Sequence, residues 1–474
     1  MNDASTLIEN RTYDEIAVGE SASVVRRLTK ADIELFALIS GDMNPTHLDE
    51  RFAARSLLRH IVAHGMWTGG LFSAVLGTKL PGPGTVYLGQ DLRFLRPVGV
   101  GDSITATVTA REKRPEGRTV VFDCLAVNQD DEQVVRGVAE VKAPAEKIRQ
   151  SPTELPEVQL RRHDRYDELM ARCRELAPVR TAVVHPCDAP SLAGALQAAQ
   201  AGLIVPLLVG PEAKIRSVAE AAGLEIGAYR IVPAPHSHAA AAQAVALARG
   251  GEVEALMKGS LHTDELMHEV MHADSGLRTG RRISHVFVMD VPAYPKPLLI
   301  TDAAINIAPT LEDKRDICQN AIDLARALGI AEPKLAILSA VETVNSKLVS
   351  TLEAAALCKM AERGQITGAR LDGPLAFDNA VSLEAARTKG IESAVAGRAD
   401  ILLVPDLEAG NMLAKQLTFL SGADAAGIVL GARVPIVLTS RADSLRTRQA
   451  SCAVAVLLAD ARRRETAGLL PGRA

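Results

Sequence analysis

The first 143 residues combine one long apolar segment with a series of strand-like runs. Residues 65–76, GMWTGGLFSAVL, are apolar on nearly all sides, as in a buried helix, and LPGPG at 80–84 ends the run. The later strands are predicted at 86–94, 103–111, 118–128 and 133–141. In the second of these strands Ile104, Ala106 and Val108 alternate with threonines, which is typical of a half-buried strand. The pattern predicts an α+β domain.

Beyond residue 165 the pattern changes to strands that alternate with helices. Strands are predicted at 181–185, 204–210, 286–289, 298–301, 335–339, 401–404 and 435–438, and early helices at 191–201 and 213–222. Apolar runs of this length separated by helices predict an α/β domain with a largely parallel sheet covered on both faces. The charged segment between the two patterns carries Pro152 and Pro156 and is predicted to be a linker. The predicted boundaries are therefore 1–143, 144–165 and 166–474.

Composition excludes several classes of protein. A chain of 474 residues with 47% hydrophobic and 23% charged residues is typical of a globular protein with about three structural units. Its formal net charge of −4 does not indicate a basic surface that binds nucleic acid. No apolar stretch is both long enough and free enough of charged residues to span a membrane. The N-terminus has no signal-peptide core, and the six cysteines have no C-x-x-C spacing. We expect a cytoplasmic protein without disulfides.

Two short segments carry the most specific chemistry, SGDMNPTH at 40–47 and AHGM at 63–66. Pro45 has no backbone N–H and disfavours helix at the residue before it, so the first segment bends. Such a bend can aim the carboxylate of Asp42 and the imidazole of His47 into one volume. There the pair can polarise a water molecule, one group accepting a proton and the other donating one. The free N–H groups at the start of the following helix can hold an oxygen as it gains negative charge.

These segments resemble the MaoC-like (R)-specific enoyl-CoA hydratases, in which S-G-D-x-N-P-x-H-x-D precedes a short helix and A-H-G-M. The resemblance spans about residues 10–142 and implies a hot-dog fold, a curved antiparallel sheet wrapped around one central helix. It implies that Asp42 and His47 add water to a trans-2-enoyl-CoA, or remove it from an (R)-3-hydroxyacyl-CoA. The Gly65 N–H would hold the thioester oxygen. The implied substrate-binding residues are Ser40, Asn44 and His64.

In the second half, polar residues follow several predicted strands. They are Asp302, Asn306, Asp378, Asn411 and the pair Ser440-Arg441. Parallel α/β folds bind ligands at the carboxyl ends of their strands, so these residues stand where a site is expected. Each one alone is a weak signal, because an aspartate after a strand is more often a helix N-cap.

Taken together and in this order, these elements resemble the phosphate acetyl/butyryltransferases from about Asp188 to about Val456. The resemblance implies two α/β subdomains flanking a cleft, related in shape to the isocitrate and isopropylmalate dehydrogenases. The first would comprise about 166–288 and 427–474, and the second about 289–426. The implied reaction is reversible acyl transfer between CoA and inorganic phosphate, with both as substrates and no tightly bound cofactor. Both halves resemble self-associating families, so a homo-oligomer is expected.

The resemblance assigns roles to the strand-end residues. Arg441 suits a phosphate, because a guanidinium donates two parallel charge-assisted hydrogen bonds, and Ser440 suits the acyl carbonyl or the phosphate. The implied substrate-binding residues are Asp302, Asn306, Asp378 and Asn411. The family often has an aspartate seven residues after the serine as the base for the CoA thiol, but this chain has Thr447 there. Asp443 is only three residues after the serine, so the base is left open, with Asp302 and Asp378 as further candidates.

Other functions are less well supported. A nicotinamide enzyme would need G-x-G-x-x-G after a strand, and Lys258-Gly259-Ser260 lacks the glycine spacing of a P-loop. His268 and His272 are an i, i+4 pair, but no H-E-x-x-H is present, so no metal site is predicted. For the N-terminal half, an acyl-CoA-binding or dimerising module or a thioesterase stays open. A working hydratase joined to a transferase that has lost its base is a further alternative.

Overall fold

The computed structural model describes residues 7–151, 158, 164–438 and 443–466. The chain divides into two compact units, Met1–Arg161 and Arg162–Ala474, each with its own hydrophobic core. Within the described residues, no helix combines the length and the apolar character that crossing a membrane requires.

The first unit contains seven strands and four helices among its described residues. The strands are β1 Ile8–Glu9, β2 Ser21–Arg27, β3 Val86–Phe94, β4 Ser103–Arg114, β5 Thr119–Val127, β6 Gln133–Lys142 and β7 Arg149–Gln150. The helices are α1 Lys30–Ser40, α2 Pro45–Leu48, α3 Glu50–Arg55 and α4 Gly65–Thr78. The four longer strands predicted after residue 85 are confirmed to within three residues at each end.

This unit has the hot-dog fold. Its five-stranded antiparallel sheet has the order β2-β4-β5-β6-β3, and α4 packs on it through Phe72, Val75 and Leu76, which are fully buried. The prediction that this helix is buried on nearly all sides is wrong for a single chain. Met66 of α4 is 54% exposed, because the described residues of this unit leave this part of the helix uncovered.

The segment predicted to be a linker begins inside the first unit. Strand β7 pairs with β1 at the N-terminus, and the Asn10 side chain donates to the Glu146 carbonyl at 2.9 Å. The oxygen of the same Asn10 side-chain amide accepts from the Ile148 N–H, also at 2.9 Å. Charge and proline content do not reveal these hydrogen bonds, which tie residues 144–151 to the hot-dog unit.

The second unit largely alternates strands and helices along its described residues. The strands are β8 Val179–Val184, β9 Ile204–Gly210, β10 Ile231–Pro233, β11 Ala255–Lys258, β12 Ser284–Asp290, β13 Leu298–Thr301, β14 Lys334–Leu338, β15 Arg370–Leu375, β16 Ile401–Leu403, β17 Asp424–Leu430 and β18 Ile436–Val437. The helices are α5 Asp164–Cys173, α6 Ala189–Gln200, α7 Glu212–Ala221, α8 Ser237–Arg249, α9 Thr263–Met271, α10 Leu311–Ala327, α11 Val349–Glu362, α12 Phe377–Val381, α13 Leu383–Thr388, α14 Leu407–Phe419 and α15 Leu445–Thr466.

One eleven-stranded sheet runs through this unit in the order β10-β9-β8-β11-β18-β17-β12-β13-β16-β14-β15. All its pairings are parallel except those of β17 with β18 and β12, and that of β12 with β13. The α/β architecture expected from the sequence is therefore confirmed. Strand direction changes across β17 and β12. Strands β13, β16, β14 and β15 on one side of them run opposite to the five strands on the other side.

Capped helix starts and a strand glycine fix local geometry. Thr29 and Thr310 form capping boxes with the aspartates three residues later, which satisfy the first free N–H groups of α1 and α10. In β6, Gly137 lies against the neighbouring strand so closely that a Cβ there would stand 2.0 Å from the Asp91 carbonyl oxygen. The hot-dog sheet can pair β6 with β3 only because this position has no side chain.

Gly137→Ala is therefore expected to lower the free energy of unfolding of the hot-dog unit by about 2 kcal/mol or more, the cost of forcing strands apart. Gly89→Ala in the neighbouring β3 is the matched control, because no atom lies within 4 Å of its added Cβ. The measurement is urea unfolding followed by the fluorescence of Trp67, the single tryptophan of the chain, which packs against this core. Equal unfolding midpoints for the two variants would contradict the prediction.

Candidate active sites

The bend predicted in the first motif is held by short local hydrogen bonds. Helix α1 ends at Gly41, whose φ of 74° is in the left-handed region. The Ser40 hydroxyl donates to the Phe36 carbonyl at 2.6 Å and accepts from the Asp42 N–H at 3.2 Å. The Asn44 side chain accepts from the Thr46 N–H at 3.1 Å and caps α2. Ser40 and Asn44, which were predicted to bind substrate, thus have hydrogen bonds that shape this loop.

Backbone carbonyls fix the tautomers of the two histidines. His47 Nδ1 lies 2.8 Å from the Val62 carbonyl oxygen, and His64 Nε2 lies 3.0 Å from the Asp42 carbonyl oxygen. A carbonyl can only accept, so each of these nitrogens carries a hydrogen, and the neutral form of each ring then has its lone pair on the other nitrogen. His47 therefore presents the lone pair of its Nε2, and the buried His64 presents that of Nδ1, which has no hydrogen-bond partner among the described atoms.

The fold brings Asp42, His47 and His64 together. Their carboxylate oxygen and ring nitrogens lie within 4.8 Å of one another, and the two imidazole rings stack with centroids 3.9 Å apart. The Asp42 carboxylate is exposed, and one of its oxygens accepts from the Asn44 N–H at 3.2 Å. Gly65 follows directly as the first residue of α4. A carboxylate, an imidazole lone pair and free helix N–H groups thus converge, as proton transfer to and from water requires.

The same three residues are also the candidate metal ligands. Among the described residues, only they bring three carboxylate and imidazole ligand atoms close enough to hold an ion. One carboxylate and two imidazoles form a ligand set that Zn²⁺ accepts. The absence of a metal site remains a prediction from the sequence.

In the second unit, Asp302 organises the loop that follows β13. Its carboxylate is buried and accepts from the N–H groups of Ala304, Ile305 and Asn306 at 2.9, 3.0 and 3.2 Å. It also accepts from the Asn306 side-chain amide at 2.5 Å. Asn411 on α14 donates to the carbonyl of Ala303 at 3.2 Å. Asp302, Asn306 and Asn411 therefore lie together, with their polar atoms largely occupied by protein partners.

Asp378 lies apart from this cluster. Asp378 is exposed near the start of α12, after the edge strand β15, which lies three strands from β13. At about 4.8 Å between neighbouring strands, β15 and β13 are roughly 14 Å apart. Ser440 and Arg441, predicted to be catalytic, lie outside the described residues. Thr447, where the family often has the base, hydrogen-bonds through its hydroxyl to Ser444 at 3.1 Å.

The strands that precede the predicted site residues do not all end at one edge of the sheet. Strand β18, which precedes Ser440, runs in the direction of β8, whereas β13 and β16 run the opposite way. The sequence shows where strands end but contains no signal for strand direction. The antiparallel insertion of β12 and β17 decides which strand ends share an edge.

Sequence reasoning missed His285. It lies on β12, is 1% exposed, and its Nδ1 has no hydrogen-bond partner among the described atoms. Burial lowers the pKa of His285 to about 4, against the opposing effect of the Asp302 carboxylate. A histidine at the start of an otherwise apolar strand was the available signal.

The cysteines offer no competing nucleophile within the described residues. Burial raises the pKa of Cys124, Cys358 and Cys452 to about 12, and that of Cys173 to about 11. The burial that raises these pKa values keeps the thiols protonated at neutral pH, and a protonated thiol is a poor nucleophile.

Comparison with known families matches both units. A family profile described as "Phosphate acetyl/butaryl transferase" matches residues 236–456, and a profile described as "MaoC like domain" matches residues 17–127. A phosphate acetyltransferase of Rhizobium meliloti is 71% identical over 299 residues, which are 63% of this chain and 95% of that protein. A phosphate butyryltransferase of Clostridium beijerinckii is 40% identical over 294 residues, 62% of this chain and 97% of that protein.

A solved structure is also similar to the second unit. The branched-chain phosphotransacylase from Enterococcus faecalis V583 is 31% identical with a TM-score of 0.53. The match covers 59% of this chain and 99% of that protein.

Proposed function

This chain belongs to the phosphate acetyl/butyryl transferase family and carries a MaoC-like domain ahead of it, and we propose that it is a bifunctional CoA enzyme. The second unit transfers a short acyl group reversibly between CoA and inorganic phosphate. The first unit adds water to a trans-2-enoyl-CoA or removes it from an (R)-3-hydroxyacyl-CoA. CoA thioesters and phosphate are substrates in this proposal, and neither reaction uses a tightly bound cofactor. We propose that the enzyme is cytoplasmic.

The transferase proposal is supported by the extent of the match to its relatives. The acetyltransferase relative is 71% identical and the butyryltransferase relative 40%, which favours an acetyl group. The chemistry needs an anchor for the phosphate and a proton acceptor for the thiol. We assign the anchor to Arg441, since a planar guanidinium matches two phosphate oxygens.

The hydratase proposal is supported by the grouping of Asp42, His47 and the start of α4. A water between the carboxylate and His47 Nε2 gives up one proton as its oxygen attacks C3 of the enoyl group. A proton from the pair then reaches C2. The thioester oxygen gains negative charge during this step, and we assign its stabilisation to the Gly65 N–H at the helix start.

We further propose that the protein is a homo-oligomer. Strand β3 is an edge of the hot-dog sheet, and its Val86, Leu88 and Phe94 are 54%, 54% and 49% exposed. Met66 on the uncovered face of α4 is equally exposed. An apolar edge strand with free backbone groups favours pairing with another sheet.

Asp42→Asn is expected to reduce hydration of crotonyl-CoA by about 10²- to 10⁴-fold, because an amide cannot accept the water proton. His47→Ala should have a similar effect, since it removes the Nε2 lone pair. Asp130→Asn, in an exposed turn of the same unit, is the matched control. Acyl transfer by all three variants should equal that of the wild type. Unchanged hydration in either dyad variant would remove the pair from the mechanism, whereas a wild type without hydration activity would indicate an acyl-CoA-binding module.

Arg441→Ala is expected to raise the KM for acetyl phosphate and to lower kcat. Because one charged hydrogen-bond anchor is lost, kcat/KM should fall by about 10- to 100-fold. Arg441→Lys should recover little, since a single ammonium does not reproduce the planar fork. Arg363→Ala, at the exposed end of α11, provides the control for loss of a positive charge. Full activity of Arg441→Ala would reject the role assigned to this residue.

Light scattering at micromolar concentration should give a mass of at least two chains of 50.3 kDa each. Leu88→Glu should reduce that mass, because a charge on an edge strand opposes sheet pairing. Val25→Glu on β2, the opposite edge of the sheet, is the matched control and should not change it. A monomer in the wild type would exclude the oligomer.

A further inference from the structure

The hot-dog unit contains a cavity of about 530 Å³ whose walls are mostly polar. Its charged and titratable lining residues are Lys30, Glu50, Arg59, His60 and Asp102. An acyl chain needs apolar walls, and among the lining residues only Ile61 and Val100 carry large apolar side chains. The cavity therefore suits a charged, polar ligand better than the hydrocarbon part of a thioester.

The two carboxylates of this cavity have partners within the protein. Glu50 Oε1 accepts from Lys30 Nζ at 3.0 Å. One oxygen of Asp102 accepts from the Gly99 N–H at 2.7 Å, and the other accepts from the Gln129 side-chain amide at 3.0 Å. The lysine and both carboxylates are thus engaged in contacts that hold the walls together.

Arg59 and His60 differ from these residues. Neither side chain has a hydrogen-bond or ion-pair partner among the described residues. Arg59 follows α3 with a φ of 62°, in the left-handed region that residues with a Cβ seldom adopt, and its N–H donates to the Ser56 carbonyl at 3.3 Å. Such conformations persist where the surrounding structure fixes them, and they cluster at ligand sites. A guanidinium and an imidazole thus line one cavity with donors that no described protein group uses.

The cavity and the proposed hydratase site share one segment of the chain. Residues 60 and 61 line the cavity, and the next residue, Val62, pairs with Gly99 in an antiparallel bridge. The Val62 carbonyl oxygen lies 2.8 Å from His47 Nδ1. One short segment therefore forms a wall of the cavity and orients the catalytic imidazole.

Helix α1 sets the distance between the two sites. It begins at Lys30, which lines the cavity, and ends at Ser40, two residues before Asp42. Its 11 residues correspond to a length of about 15 Å. The extended pantetheine arm of CoA spans a comparable distance between the thioester and the diphosphate.

We propose that this cavity binds the phosphates at the nucleotide end of the CoA thioester, with Arg59 as their anchor, while the thioester lies at Asp42 and His47. A planar guanidinium donates two parallel charge-assisted hydrogen bonds to phosphate oxygens, and a ring N–H of His60 adds a third donor. The Asp102 carboxylate opposes an anion in the same cavity, so the contribution of Arg59 is modest. This inference rests on the proposed hydratase function and locates the part of its substrate that does not react.

The test compares crotonyl-CoA with crotonyl-pantetheine, which has the same thioester and no phosphate, in hydration by the full chain. Arg59→Ala should raise the KM for crotonyl-CoA about tenfold with kcat unchanged, because one charged hydrogen-bond anchor is lost far from the reacting atoms. The KM for crotonyl-pantetheine should be the same in the wild type and the variant. Arg59→Lys should raise the KM for crotonyl-CoA less, since it keeps the charge without the planar fork.

Arg118→Ala is the matched control. Arg118 is also an exposed arginine with a positive φ, 55°, so its replacement makes the same change to side chain and backbone. It lies beyond the end of β4, whereas the cavity lies before the start of that strand at Asp102. Its KM for crotonyl-CoA should equal that of the wild type.

Crotonyl-3′-dephospho-CoA separates the two sources of phosphate. Loss of the Arg59→Ala effect with this substrate would assign the anchor to the 3′-phosphate, and retention of the effect would assign it to the diphosphate. An unchanged KM for crotonyl-CoA in Arg59→Ala, or an equal rise for crotonyl-CoA and crotonyl-pantetheine, would overturn the phosphate site and leave the hydratase function standing.

A wild type that hydrates neither thioester would reject the hydratase function, and the cavity is then tested by calorimetric titration with adenosine 3′,5′-bisphosphate. Any binding of this ligand to the second unit is common to both arginine variants. Weaker total binding by Arg59→Ala than by Arg118→Ala would support the phosphate site, and equal binding would overturn it.

Discussion

The antiparallel pairing of β12 with β17 is the constraint on which the second unit depends. Every residue of β12 has a partner in β17, from Ser284 opposite Leu430 to Asp290 opposite Asp424. This pairing joins two groups of parallel strands that run in opposite directions, so the sheet continues through both groups. It also places His285 Nε2 and the Leu438 carbonyl oxygen close to Gly427. The loops that follow the strands then supply the chemistry.

Buried polar groups around Asp302 are mostly satisfied by the protein. Asp302 and Asn306 bind one another and the surrounding backbone, and Arg282 completes the cluster by donating to the Asn306 amide oxygen at 2.6 Å. Such saturation stabilises a loop because each buried donor and acceptor retains a partner. His285 is the exception nearby, since one of its ring nitrogens has no partner among the described atoms.

The hot-dog site is built mainly from short-range contacts. The side chains of Ser40, Asp42 and Asn44 bind backbone groups within four residues, and Pro45 begins α2. The long-range contribution is the pair of carbonyls from Val62 and Asp42 that select the histidine tautomers. The motif therefore forms the loop, and the Val62 and Asp42 carbonyls orient the imidazoles of His47 and His64.

The sequence by itself determined the two architectures, most element bounds and the convergence of Asp42 with His47, because periodicity, proline bends and helix caps act over a few residues. It also identified the strand-end polar residues of the second unit. Only the tertiary structure decided strand direction and strand order, and the strand order places Asp302 and Asp378 apart. His285 belongs to this second group, since its burial and its approach to Gly427 arise from strands more than a hundred residues apart in the chain. Local pattern cannot encode such pairings, because hydrogen bonds between distant strands depend on the register that the whole sheet adopts.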